Sequence, residues 1–343
     1  MSASPGTCIT SSRRNLTGLN SFLRLSWIRD RQRINLAYTL KAGTSVQENI
    51  RDIAGSQIGK AIGEIDDSDL GVDDTVHQVR KRCKKLRSLI RLVRPCFSAY
   101  RKENDVFRDA AVRLSHIRDS KAILETYDEL IEFYCNQLDT EDFAPIRNRF
   151  AGSKTEITGG KGLDDELARF RDTMTEAEER IGNWNIDKDG FKAIEGGLGK
   201  TYKRARKAMA EAEERTSAEW LHEWRKRLKY HWYHSRLLSD IWPEMMKMHI
   251  GTAAKLSSVL GAHHDLALLQ RAIASVEDEI ADRRTAGAVI GLAENRQALL
   301  RTEAFDLGRK LLAEKPSALR HRWGVYWSNW QRDDERWYLA TAA

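Results

Sequence analysis

The sequence predicts an all-α protein made of two pseudo-symmetric helical halves. Three observations carry this. Only 5 prolines occur in 343 residues, which suits long helices. Apolar residues recur at helical steps, and no segment alternates as a strand would. One basic helical pattern is written twice, 145 residues apart.

Residues 1–36 are polar, basic and weakly patterned, and read as a poorly ordered leader. From Ser45, the apolar residues Val46, Ile50, Ile53, Ile58, Ile62 and Ile65 step by three to five and predict a first amphipathic helix. Asp73 and Asp74 are N-cap candidates for a helix running to about Val93, which Pro95 ends. A third helix is expected near 103–114 and a fourth from about Asp119. The stretch 152–162, rich in glycine, reads as a loop, residues 163–182 as a charged helix, and 182–191 as the linker between halves. Further helices are expected near 191–213, 217–241, 244–260, 264–284, 287–313 and 317–340, punctuated by Pro243 and Pro316. The halves are then 37–183 and 184–315, followed by a C-terminal helix over 316–343.

Charge and cysteine usage narrow the classes. The net charge of +7, from 57 Lys and Arg against 50 Asp and Glu, is mild, so the placement of the cations matters more than their number. Cys8, Cys83, Cys96 and Cys135 form no CxxC pair and read as free thiols of a reducing, cytoplasmic compartment. No apolar run reaches the roughly 18 residues of a membrane span, and the first residues lack the apolar core of a signal peptide.

The repeat is the informative feature. VHQVRKRCKKLRSLIRLV from Val76 aligns without a gap on LHEWRKRLKYHWYHSRLL from Leu221. His77 falls on His222, and Arg80, Lys81, Lys84 and Arg91 fall on Arg225, Lys226, Lys229 and Arg236. A second pair, LSHIRD from Leu114 and LGAHHD from Leu260, repeats at an offset of 146. On a helical wheel, Arg80, Lys81, Lys84, Lys85, Arg87 and Arg91 lie within roughly 80° of His77. Val76, Val79, Cys83, Leu86, Ile90 and Val93 lie opposite, so the helix has an apolar floor and a cationic roof. The second copy places Arg225, Lys226, Lys229, Tyr230, Trp232, Tyr233 and Arg236 on its roof over Leu221, Trp224, Leu228 and Leu238. Between Gln78 and Arg94 there is no acid, and like charges at i,i+4 destabilise a helix by about 0.2–0.5 kcal/mol per pair. A bound polyanion would neutralise that repulsion.

These two segments resemble the signature of the conserved histidine α-helical domain, CHAD: a histidine, arginine at +3, basic residues at +7 and +8, and another at +10. The resemblance extends over about residues 37–315. It implies two four-helix bundles with additional C-terminal helices in each half, related by a pseudo-twofold axis around a basic central groove or pore. It also implies that inorganic polyphosphate is the partner, held by His77, Arg80, Lys84, Lys85, Arg87, His222, Arg225, Lys226 and Lys229. The wheel adds Lys81, Arg91, Tyr233 and Arg236. Secondary contacts are expected from Arg113, Arg118, Lys121, Lys200, Tyr202, Lys203 and Arg206. At +10 the second copy has Trp232, so it departs from the pattern there.

Polyphosphate carries roughly one charge per phosphate, so affinity is expected from charge-assisted contacts and counterion release. A bound anion favours histidine protonation, which makes affinity rise as pH falls. Asp119 and Asp265 read as N-caps. His231, His234, His263 and His264 invite a zinc reading, but no ligand set completes it, so neither metal nor cofactor is expected. No phosphate-binding glycine loop or nucleophile elbow occurs, so the protein is expected to bind without catalysis, at polyphosphate granules in the cytoplasm. The alternatives are a nucleic-acid-binding helical protein and a polyphosphate or triphosphate hydrolase.

Overall fold

The computed structural model describes residues 38–114, 119–137, 143–157, 161–275 and 283–342. The proposed leader, 1–36, and Arg118 lie outside the described residues, as does the side chain of Lys121. The described residues from Thr39 onward form one compact unit.

Eleven α-helices occur among the described residues: α1 (Val46–Asp66), α2 (Val72–Leu92), α3 (Tyr100–Arg113), α4 (Asp119–Tyr134), α5 (Ala144–Ile157), α6 (Lys161–Ile181), α7 (Phe191–Arg215), α8 (Ala218–Leu237), α9 (Pro243–Ser275), α10 (Arg283–Leu311) and α11 (Pro316–Ala342). There is no strand among them, only an isolated bridge between Phe97 and Ile186.

Local chemistry sets the starts and stops. Ser45 caps α1 through a reciprocal capping box with Glu48. Gly71, not an aspartate, takes the cap position of α2, and Asp73 and Asp74 lie in its first turn, where carboxylates favour the positive end of the helix dipole. Pro95 ends α2 inside a 3₁₀ turn, Arg94–Cys96.

Helices α1, α2, α3 and α6 close one four-helix bundle, and α7, α8, α9 and α10 close a second in the same order. The floor of α2 is its core: Val76, Val79, Cys83, Leu86, Ile90 and Val93 are all fully buried. Leu221, Trp224, Leu228 and Leu238 are equally buried in the second bundle. The bundles are bound together by α2 against α7 and α8, and by α4 against α9 and α10.

Three expectations are corrected. The breaks read at 260–264 do not exist, because α9 runs without interruption through Asp265, which is therefore a mid-helix residue and not a cap. The segment 152–157 is helical, as the end of α5, since one glycine costs a helix only about 1 kcal/mol; residues 158–160 lie outside the described residues. The 182–190 connector is no free linker. Trp184 is buried against Phe97 with ring centroids 5.2 Å apart, and its carbonyl accepts from Arg51 Nη2 at 2.6 Å. The C-terminal helix α11 packs on α7, with Trp323 fully buried.

Candidate functional site

The two basic helices cross antiparallel. Ser88 Oγ donates to the Tyr230 carbonyl at 3.4 Å, and His234 Nε2 donates to the Ser88 carbonyl at 3.0 Å. The repeat offset maps Ser88 onto Tyr233, so the crossing lies on the pseudo-twofold axis. It also maps Lys85 onto Tyr230 and Arg91 onto Arg236. Two related neighbourhoods follow: Lys85 lies in the field of Arg236 on one side, and Arg91 lies 4.3 Å from the Tyr230 ring centroid on the other. His77 and His222, by contrast, are not brought together. Each lies about 16 Å of helix before the crossing, on opposite sides of it.

Helix α7 sits tightly against the end of α2. A Cβ at Gly197 would lie 1.9 Å from the Leu92 carbonyl oxygen and 2.5 Å from that of Arg91, so only glycine lets the backbones approach this closely.

Cations gather on both sides of the crossing. Arg91, Arg94, Arg204 and Arg227 line a narrow pocket with Thr201 and Tyr230. Burial, followed by the fields of Arg204 and Arg91 among other influences, pushes Arg94 down to about 10, and Lys200 is lowered by Arg94 first. The buried Arg94 Nε and Nη2 have no hydrogen-bond partner. On the other side Lys85 is pushed down to about 6, first by burial and then by Arg236, Arg82, Lys81 and Lys60. The sequence pointed to neither Arg94 nor Arg204, and Arg227 falls off its wheel's roof. Arg94 and Arg204 had no signal beyond the lack of an acid nearby, Arg227 has Glu223 four residues before it, and only the meeting of α2, α7 and α8 assembles the three.

The arginines at +3 have a structural task as well. Arg80 Nη1 donates to the Leu114 carbonyl at 3.4 Å, and the Arg225 guanidinium lies against Gly261, whose added Cβ would be 3.3 Å from Arg225 Nε. Leu114 and Leu260 are repeat partners, so each arginine packs on the corresponding turn of the next helix.

A cleft of about 610 Å³ opens beside the head of α8, lined by Glu211, Glu219, Trp220, His222, Glu223, Lys226, His264 and Arg271, with Ala218. The His222 and His264 rings lie against each other, tilted by 32° with centroids 3.8 Å apart. Burial is the main cause that holds both near 4; His222 is lowered further by His264, Lys226 and Arg225, and His264 by Arg225 and Arg271 first among nearby cations. In the unliganded protein this keeps His222 neutral at neutral pH. Its buried Nδ1 has no partner. Arg271 and Trp220 were not foreseen, and His264 was noticed only as a possible zinc ligand. Glu223 pairs with Lys226 Nζ at 2.5 Å and with Arg227 Nη2.

Several expected contact residues are displaced from the surface. Tyr233 is 3% exposed, Lys85 2% and Arg91 8%, because the other half covers what a wheel of one helix shows as open. Arg91 Nη2 donates to Asn104 Oδ1 at 2.8 Å. Tyr202 is fully buried, its hydroxyl donating to the Leu311 carbonyl, so it is a core residue. Lys226, Lys200 and Lys203 are exposed, while His77, Arg80, Lys81, Lys84, Arg87, Arg225, Lys229, Arg236 and Arg206 are half-buried. Arg113 reaches α6, donating to Thr173 Oγ1 at 3.2 Å and lying 3.6 Å from Glu166. His231 is buried against His249, Nε2 to Nε2 2.8 Å. No group of three or more His, Cys, Asp or Glu placed to hold a metal ion occurs among the described residues. None of the described helices is long and apolar enough to cross a membrane.

Comparison with known proteins agrees with this architecture. Residues 56–274 match the CHAD domain family. No curated protein matches the chain. Among solved structures, the CHAD domain from the plant Ricinus communis superposes with a TM-score of 0.57 at 18% identity, covering 80% of this chain and 94% of that one.

Proposed function

The chain belongs to the CHAD domain family, and from that premise we propose that it binds inorganic polyphosphate, without cleaving it, through the cations around the α2–α8 crossing. The observation that carries this reading is the crowding of like charges on both sides of the crossing. Arg94 is desolvated beside Arg204 and Arg91, and Lys85 gives up its proton readily beside Arg236 and Arg82, a strain that a polyanion relieves by neutralising several cations at once. Arginine forks grip two phosphate oxygens each, and exposed lysines such as Lys226 add point charges. Polyphosphate granules in the cytoplasm are the place this function suits.

Nucleic-acid binding is the weaker reading. Single-stranded nucleic acids need open aromatic faces for stacking. Here the Tyr230 ring is taken by Arg91 at 4.3 Å, the Trp232 ring by Arg236 at 5.1 Å and the Trp220 ring by Arg215 at 4.4 Å, while Tyr233 is buried. A hydrolase reading draws on Glu211, Glu219 and Glu223 in the cleft, of which Glu223 is already engaged by two cations.

One competition experiment at moderate salt separates the first two. Long-chain polyphosphate should displace a labelled polyphosphate far better than DNA of equal total charge, and equal displacement would return the reading to nucleic acid. Incubation with polyphosphate and Mg²⁺ should release no phosphate; sustained release would make the protein a hydrolase.

A further inference from the structure

We propose that the recess framed by Arg91, Arg94, Arg204 and Arg227 on one side of the crossing takes the terminal phosphate of a polyphosphate chain. The inference rests on the polyphosphate reading and deepens it, by naming the part of the chain that this seat recognises.

The arginines converge from separate segments. Arg91 and Arg94 come from the end of α2 and the turn after it, Arg204 from α7 and Arg227 from α8, with Thr201 and Tyr230 beside them. Arg227 gives Nη2 to Glu223, but Arg91, Arg94 and Arg204 form no ion pair among the described residues. The partners of Arg91 are neutral: Nη1 donates to the Tyr100 hydroxyl at 2.5 Å and Nη2 to Asn104 Oδ1 at 2.8 Å. Donors are left over. Arg91 is 8% exposed and its Nε is buried without a partner, as are Nε and Nη2 of Arg94. A buried charged donor without an acceptor is costly, and an anion in the recess supplies the acceptor. Burial, and then the field of Arg204, loosen the Arg94 proton, bringing it down to about 10; a phosphate between these groups acts in the opposite sense.

The shape of the recess selects the chain end. The space between the side chains is about 10 Å³, room for one oxygen and too narrow for a chain to pass through. An internal phosphate is flanked by two bridging oxygens and would have to fold the chain back on itself to enter. A terminal phosphate has one bridging oxygen, so it enters with a free oxygen leading and the chain trailing out. It also carries up to roughly two charges where an internal phosphate carries one, which suits arginines held by no carboxylate. The mouth can adjust, because Arg204 is exposed and Arg227 is 35% exposed. The repeat sets Ser239 at the position of Arg94, so the pseudo-twofold axis does not make a second copy of the seat.

The test compares linear tetrapolyphosphate with a cyclic metaphosphate of six phosphates, two probes of equal full charge of which the ring has no end. By calorimetry the full chain should bind the linear probe on the order of tenfold more tightly. Arg94→Ala should bring the linear probe down to the affinity of the ring, and Arg204→Ala should narrow the gap. A ring that binds the wild type as tightly as the linear probe overturns the proposal, as does a preference that survives Arg94→Ala with helicity preserved. If Arg94→Ala loses helicity, Arg204→Ala decides, and an undiminished preference there overturns it. Wild-type protein that binds neither probe nor long-chain polyphosphate sinks the polyphosphate reading itself, an outcome distinct from binding that ignores chain ends.

Discussion

His234 Nε2 donates a 3.0 Å hydrogen bond to the carbonyl of Ser88, joining two helices that the repeat makes equivalent. The bond is buried, and burial is the main cause that drops His234 to about 3, so the imidazole stays neutral. It fastens the crossing at its axis, and the two cation clusters flank it.

Gly197 brings the α7 backbone tightly against the end of α2. Alanine there gains about 1 kcal/mol of helix propensity. Its Cβ would press into the Leu92 carbonyl, and overpacking of this kind costs about 3 kcal/mol or more. Gly197→Ala should lose about 2 kcal/mol net in urea unfolding; unchanged stability would mean that α7 can draw back freely.

Lys85 lies under the crossing with its ordinary value of 10.5 brought down to about 6. Between those limits the unfolded chain holds a proton that the folded chain does not, so stability rises with pH through the window and flattens below about 6. Lys85→Met removes that slope. The variant should melt higher at pH 7, with an advantage that shrinks toward pH 10; a variant less stable at pH 7 would contradict the depressed value.

Acid acts through the histidines. His222, His249, His263 and His264 are held near 4, mainly by burial, below the ordinary 6.5. As pH falls below 6.5 the unfolded chain takes up protons first, so stability should drop increasingly steeply toward pH 4. Bound polyphosphate favours the charged form of His222 and His264, and should therefore raise Tm more at pH 5 than at pH 8. Equal shifts at both values would place these rings outside the bound anion's field.

The helical periodicity was legible because it is local: Val76, Val79, Cys83 and Leu86 mark the buried face of α2 whatever packs on it. The duplication was legible for the same reason. Burial by the other half was not, and Arg91, Tyr233 and Lys85 stand on the cationic roof yet lie inside the crossing. Gly261 misled in a different way. It falls in the break read at 260–264, but within α9 it makes room for the Arg225 guanidinium. Arg94 and Arg204 escaped because they are 110 residues apart in sequence and share a pocket only after α2 meets α7.

Helix α4 belongs by sequence to the first half yet rests on α9 and α10, while α7 of the second half seals the end of α2. The duplicated units have thus surrendered their autonomy. A cut in the 182–190 connector would not release two smaller proteins, because each piece would leave behind part of the other's lid. Once the copies interlocked, their basic helices were free to diverge in charge while remaining one object.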